Sequence, residues 1–454
     1  MSGQAKDFSV SGLMAEGGKA WSRGDGAAAA TLFAQAALAV PALTQAHVNL
    51  GVALRKQGHV TAAVVSYRRA LQADDNDPAI HSNLGNALRE IGQLAEAETH
   101  LRRAVALRPD TASFRYNLAL LLRDRRQHEE ARALFAALVA QFPDSGEYAW
   151  DLALSDLYLG DYAKGFAGYE ARWRLARTPR RDFTGPQVQP GQDVRTKTVL
   201  VAAEQGFGDS LQFARFLPLV AGRCARLVVE CQPEQMDLFA GIKGVAHVFA
   251  KGDVPPAYDV WIPIMSLAHW LGLGPADLPG PVPYLRPARA LAKPLGRPPG
   301  TRLNVGLIWA GKTVPRDRSW PLEHLMVLMQ DPGLAFWSLQ MGERSNDLKR
   351  LGVGALVRDL APLITSFADT AALMNAMDVI VSIDTSAAHL AGALGRPTAV
   401  LLRYVSDWRW LDQGDSCRWY PSLRLFRQPQ PDDFTAPVLQ LKAWLDQRGE
   451  GAKT

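Results

Sequence analysis

Asp378-Val-Ile-Val-Ser-Ile-Asp384-Thr385-Ser386-Ala387-Ala388-His389-Leu390-Ala391-Gly392-Ala393-Leu394-Gly395-Arg396-Pro397, followed by Thr-Ala-Val-Leu-Leu402, decides the fold of the carboxyl-terminal half. The run Val379 to Ile383 is short and apolar, as strands of a parallel sheet covered on both faces are. A second such run follows Pro397. Between them stand three good helix-capping residues, Asp384, Thr385 and Ser386, so a helix is expected to start there. Its free N–H groups then lie at the carboxyl end of the strand, a geometry that attracts anions.

Working outward, strand and helix signals alternate over the rest of this half. Thr198-Val-Leu-Val-Ala-Ala203 reads as a buried strand, Glu204 to Ser210 as a glycine-bearing turn, and Leu211 to Val220 as helix. Arg226 to Glu230, Ala246 to Ala250 and Asp259 to Pro263 read as further strands. After a proline-rich stretch, Pro275 to Pro299, the pattern restarts with Asn304 to Trp309, a charged turn Ala310 to Trp320, a helix from Pro321 and a strand Ala335 to Met341. Alternation of this kind predicts two parallel-sheet units. Ligands of such sheets sit beyond the carboxyl ends of the strands. The candidate turns are therefore 204–210, 310–319 and 384–389.

The amino-terminal half has a different rhythm. Ala29, Ala63, Ala97 and Ala131 are spaced by 34 residues, as are Gly24, Gly58 and Gly92, and Leu50, Leu84, Leu118 and Leu152. Pro41, Pro109 and Pro143 share the register, with Asp75 replacing proline once. An aromatic or apolar residue follows each alanine at Phe33, Tyr67, Leu101 and Phe135. This pattern resembles the tetratricopeptide repeat, a helical hairpin whose small central residue lets two helices approach and whose proline ends the second. Four copies are expected between Gly12 and Pro143, then a degenerate capping copy from Tyr148 to Arg174. The expected organisation is a repeat array over 10–175, a Pro- and Gly-bearing linker over 176–197, and α/β domains over 198–290 and 300–446. Such arrays present a concave surface that usually takes a peptide or protein partner, with a purely structural or dimerising role as the alternative.

The 454 residues, 48% hydrophobic and 21% charged, are ample for several cores, and a formal charge of +5 is too slight to imply nucleic-acid binding. No apolar run approaches the ~20 residues of a membrane span, and Met1 to Trp21 lacks a signal pattern. Three cysteines without metal-type spacing, Cys224, Cys231 and Cys417, fit a reducing compartment. A cytoplasmic protein is expected. The basic cluster Arg172, Arg174, Arg177, Arg180 and Arg181 is expected to be a solvated helix end and linker.

Together the turns Glu204-Gln-Gly-Phe-Gly-Asp209-Ser-Leu-Gln-Phe213, Arg316-Asp-Arg318-Ser-Trp-Pro321 and Asp384 to Leu394, with Asp407-Trp-Arg-Trp410 and Trp419-Tyr-Pro-Ser422, resemble bacterial glycosyltransferases of the heptosyltransferase (family 9) type. Those enzymes have the GT-B fold of two Rossmann-like domains; tetratricopeptide-bearing examples modify flagellin or other proteins. The resemblance implies an inverting, metal-independent transfer of a sugar from a nucleotide-sugar donor to an acceptor hydroxyl. It places the general base at Asp209 and a donor-phosphate cation at Arg318, and matches Asp384, Thr385, Ser386 and His389 to the nucleotide-diphosphate turn.

The chemistry agrees with that assignment. Transfer needs a base within reach of the hydroxyl and something to stabilise charge on the departing nucleotide. With no Asp-x-Asp pair in the two sheet domains, helix amides and the cations Lys312, Arg316 and Arg318 are left for the second task. Gly206 and Gly208 complete the expected donor-binding set; no cofactor and no metal are expected. Plainer readings stay open: Asp209 as a helix cap, His389 as a core histidine, Arg318 as a surface cation, Trp408 and Trp410 as packing residues. So do two other functions. One is a tetratricopeptide scaffold whose sheet domains bind a nucleotide sugar or nothing. The other, weaker, is a nicotinamide-dependent oxidoreductase, suggested by Gly206-Phe-Gly208 and Glu230 but lacking the third glycine, where Leu211 stands.

Overall fold

The computed structural model describes residues 9–179, 181, 183–314 and 317–451. The chain forms two compact units, Met1–Ser155 and Asp156–Thr454.

The first unit is built of helical hairpins in strict register. First helices are α1 (Val10–Ser22), α3 (Thr44–Lys56), α5 (Pro78–Glu90), α7 (Ala112–Asp124) and α9 (Gly146–Tyr158); second helices are α2 (Gly26–Ala39), α4 (Val60–Ala73), α6 (Leu94–Leu107) and α8 (His128–Gln141). Each series starts every 34 residues. Close packing explains the small residues: a Cβ on Gly17, Gly51 or Gly85 would lie 2.6, 2.5 or 2.6 Å from Phe33, Tyr67 or Leu101. The repeat alanines, Ala29, Ala63, Ala97 and Ala131, are fully buried. The bend between helices takes positive φ at Gly24, Gly58 and Gly92, and at position 126 an arginine adopts the same conformation, φ 63°. Among the described residues, no helix is long and apolar enough to cross a membrane.

In the second unit, α10 (Tyr162–Tyr169) keeps the 34-residue register as the second helix of a fifth hairpin, and a 3-10 turn, Glu170–Arg174, closes it. Two parallel sheets follow. The first has the order β3-β2-β1-β4, from β1 (Thr198–Ala202), β2 (Arg226–Cys231), β3 (Val245–Ala250) and β4 (Val260–Pro263). The second has the order β10-β9-β8-β5-β6-β7, from β5 (Leu303–Leu307), β6 (Leu334–Ser338), β7 (Val357–Asp359), β8 (Val379–Ile383), β9 (Thr398–Leu402) and β10 (Leu423–Arg427). β5, β8 and β9 are buried throughout, which is why their sequences read as mainly apolar runs broken only by Asn304, Ser382 and Thr398. The expected array followed by a GT-B-like pair of doubly wound sheets is the architecture found.

Several details differ from the sequence reading. The helix after β1, α11, spans Phe207–Phe213 and so begins four residues before Leu211. Gly206 precedes it in extended conformation and donates its N–H to the Asp209 carboxylate at 2.9 Å, a cap made backwards from the third helical residue. Edge strands β7 and β10 and the closing helix Thr435–Gly451 were not expected. That helix buries Val438, Leu441, Trp444 and Leu445 in the core of the second sheet.

The arginine cluster is also corrected. Arg172 is only 2% exposed and holds Glu204 through two hydrogen bonds, at 3.1 and 3.0 Å. Arg181 pairs with buried Glu230. A bidentate carboxylate partner far along the chain lets Arg172 be buried and Arg181 be partly buried. Arg174 and Arg177 also have partners, and Arg180 lies outside the described residues.

Candidate functional site

The site is assembled from two strand–turn–helix corners, one from each sheet. At the first, β1 ends and α11 presents Asp209. One carboxylate oxygen accepts the Gly206 N–H; the other accepts Nη2 of Arg409 at 2.6 Å. Arg409 comes from the second sheet's side and is itself fixed. Its Nε donates to Gln212 Oε1 at 2.5 Å, its Nη1 to Asp407 Oδ1 at 2.8 Å, and its plane lies 4.3 Å from the Trp408 ring centre. Burial works against its charge, but Asp407 and Asp209 outweigh burial and raise its pKa.

At the second corner β8 leads through Asp384 into the helix Ser386–Ala393, with Thr385 as an extended N-cap. The Thr385 side chain makes no capping bond. The Thr385 carbonyl accepts from the N–H groups of Ala388 and His389. The first two helical amides, Ser386 and Ala387, have no acceptor among the described residues. Asp384 is buried and accepts Arg318 Nη1 at 3.1 Å. Burial raises the Asp384 pKa and Arg318 pulls it down.

His389 projects between the two corners. Its ring stacks on Trp410 at 5.2 Å and 24°, and its Nδ1 meets the Tyr420 hydroxyl at 2.9 Å. Burial, reinforced by Arg409, Arg215 and Arg318, lowers its pKa well below the ordinary 6.5, so near neutral pH the ring is uncharged. Tyr420 in turn sits against Arg215, whose buried guanidinium lies 4.6 Å from its ring centre and donates to the Trp419 carbonyl at 2.8 Å.

Two glycines let the corners meet. A Cβ on Gly208 would fall 2.9 Å from His389 Cδ2 and 3.5 Å from Ser386 Cα. A Cβ on Gly311 would fall 2.9 Å from Thr385 Cγ2, which brings the turn after β5 to the same place.

Of the residues expected from the sequence, the structure therefore gathers Gly208, Asp209, Arg318, Asp384, Thr385, Ser386 and His389. Gly206 belongs to the cluster, but its amide is already taken by Asp209. Lys312 is exposed on the loop after β5, and Arg316 lies outside the described residues. Sequence reasoning missed Arg409, Gln212, Arg215 and Tyr420. Arg409 stood in view between Trp408 and Trp410, in a segment noticed for its rings. Glu230, the acidic residue on which a dinucleotide reading would rest, is buried against Arg181, leaving that carboxylate engaged. Among the described residues, no group of three or more His, Cys, Asp or Glu side chains is arranged to hold a metal ion.

Comparison with known proteins supports the two-part reading. The glycosyltransferase family 9 (heptosyltransferase) profile matches residues 313–414, and tetratricopeptide profiles match residues 51–89 and 82–146. Protein FlbA of Caulobacter vibrioides is 28% identical over 303 residues, covering 60% of this chain and 50% of the relative. The chain thus spans about half the length of that curated relative. Solved structures similar to this chain include MamA 41-end from Desulfovibrio magneticus RS-1, 20% identical over 37% of this chain and 93% of that chain with TM-score 0.34. Another is YrrB, a tetratricopeptide protein with an unusual peptide-binding site, 18% identical over 37% of this chain and 84% of that chain with TM-score 0.32. Structural likeness this low carries no functional argument. The chain carries tetratricopeptide repeats and a family 9 glycosyltransferase segment.

Proposed function

We propose that the chain is an inverting, metal-independent glycosyltransferase that moves a sugar from a nucleotide-sugar donor to an acceptor hydroxyl, with the repeat array recruiting a protein acceptor. The observation that carries this reading is the meeting of a carboxylate corner and an open helix N-terminus at the contact between Gly208 and His389. Asp209 takes the proton of the acceptor hydroxyl as its oxygen attacks the anomeric carbon, and the bond to the donor diphosphate breaks on the opposite face. The charge left on the diphosphate is received by the Ser386 and Ala387 amides, Arg318 and Lys312. His389, uncharged, serves as a hydrogen-bond donor there. Arg409 holds Asp209 in place without competing for both its oxygens, since each carboxylate oxygen keeps a further lone pair.

The test has two steps. A thermal-shift panel of UDP-, GDP-, ADP- and CMP-sugars finds the donor, because a ligand bound by the folded state raises the melting temperature. Turnover of that donor is then measured for the wild type, Asp209→Ala and Asp209→Asn; the asparagine keeps an acceptor for the Gly206 amide. Both variants should lose about 10²- to 10⁴-fold in turnover while still binding the donor. Turnover unaffected by either change would remove Asp209 from the mechanism. The Arg409 contact also favours a second reading, in which the sheets bind a nucleotide sugar without reacting it and the chain is a scaffold; donor binding with no turnover by the wild type is its signature.

A further inference from the structure

Resting on the glycosyltransferase reading, we propose that two residues at the carboxyl end of the fifth hairpin, Tyr169 and Arg172, are positioning residues that hold the Glu204–Asp209 turn in its working shape.

The bracing acts on successive residues. Arg172 grips both oxygens of Glu204, the residue that leaves the first strand's end, and its Nη2 also reaches Ser266 Oγ at 2.7 Å. Its Nη1 donates to Glu170 at 2.8 Å and to the Tyr169 carbonyl at 3.1 Å, so the guanidinium is tied to its own hairpin as firmly as to the turn. Glu204 additionally accepts the Met265 N–H at 2.9 Å. The next residue, Gln205, stands at φ 58°, a left-handed conformation that a residue with a side chain adopts only where its surroundings impose it. Part of what imposes it is the Tyr169 hydroxyl, which donates to Gln205 Oε1 at 3.1 Å. Gly206 follows, and its amide fixes Asp209. Two of these four fastenings, those of Arg172 and Tyr169, come from the hairpin, and they act on residues upstream of the base.

A buried ion pair such as Arg172 with Glu204 contributes little net stability compared with apolar side chains of the same size; its better-attested use is to select one geometry. A guanidinium fork suits that use, because it fixes the carboxylate plane as well as its distance.

The test uses the full chain with Tyr169→Phe, which removes one hydroxyl and keeps the ring, and Arg172→Lys, which keeps the charge and loses the fork. Tyr162→Phe is the control: it strips a hydroxyl from the same helix where the ring packs on Trp408 and Trp419 rather than on the turn. Hydrogen exchange is followed in the peptide spanning residues 204–213, together with kcat and KM for whichever of UDP-glucose, UDP-N-acetylglucosamine, GDP-mannose or ADP-glucose the wild type turns over. For Tyr169→Phe the expected result is about tenfold lower kcat, KM within about twofold, and about tenfold faster exchange confined to that peptide. Arg172→Lys should show a larger change in the same direction, and Tyr162→Phe neither. Wild-type exchange and kcat in Tyr169→Phe and Arg172→Lys would overturn the inference and leave the glycosyltransferase reading standing. Should no donor be turned over by the wild type, that reading fails, and exchange in residues 204–213 alone decides whether the hairpin holds the turn.

Discussion

The corners at Asp209 and at Ser386 are built alike, each a buried parallel strand, a short turn and a helix, yet they treat their helix N-terminus in opposite ways. At the first, the carboxylate of Asp209 folds back onto the Gly206 amide and closes the end of the helix. At the second, Thr385 makes no side-chain cap, and the Ser386 and Ala387 amides have no acceptors among the described residues. A capped end has no affinity left for an anion, whereas an open one is an anion site. The contrast divides the labour: one corner offers a carboxylate, the other offers N–H groups.

The largest test of that contrast is Ser386→Pro. Proline is well tolerated at the first helical position, and the extended Thr385, at φ −144° and ψ 172°, suits a residue that precedes proline. The change deletes one amide together with the Ser386 hydroxyl. Loss of a hydrogen bond to a charged group, about 1.5–3 kcal/mol, should weaken donor binding about 10- to 100-fold in a titration. Unaltered affinity would mean that this end of the helix does not bind the diphosphate.

A smaller effect is expected from Gly208→Ala, which sharpens the comparison by pushing the corners apart. The new methyl group would meet His389 and the backbone of Ser386, and overpacking of this kind costs about 1–3 kcal/mol. Differential scanning calorimetry should show a lower melting temperature, with transfer reduced about tenfold. A variant as stable and as active as the wild type would show that the contact is not needed.

The smallest effect is on pH. Because the folded state lowers the His389 pKa from 6.5, the unfolded chain binds more protons below that value, so stability is complete above about pH 6.5 and declines as pH falls toward the folded pKa. Asp384, whose pKa burial raises from 3.8, acts in the opposite sense: it favours the folded state at the acid extreme, and that contribution is lost as pH rises through its raised value. Melting temperatures of wild type and His389→Gln between pH 5 and 7.5 should converge toward the acid end. Parallel curves would mean that His389 does not titrate differently on folding.

Much of this was legible in the sequence, and the reason differs by region. The array could be read because its contacts repeat: Gly51 on Tyr67 and Gly85 on Leu101 are the same packing problem solved twice, 34 residues apart. The strands at Val379 and Thr398 could be read because burial on both faces removes every polar side chain but those bonded locally. The Ser386 helix start was legible from its capping residues. What escaped notice depends on partners distant in sequence. Arg409 reaches Asp209 across 200 residues and Arg172 reaches Glu204 across 32, and no local pattern records either meeting. The start of α11 was missed because its cap is a glycine and the acceptor lies three residues later. Strand β10 was missed because Leu423-Arg424-Leu425 alternates like a surface edge.

One of the features above supplies its own gauge. The Trp410 indole is stacked on His389, and its N–H influences the Asp384 carboxyl without forming a hydrogen bond of ordinary geometry. An indole so placed emits in response to the charge and contact of the groups beside it. Excited in the indole absorption band, the chain carries a native fluorophore at the junction of its two corners. With Trp410→Phe as the blank, donor arrival can be timed in a stopped-flow mixer without attaching a dye.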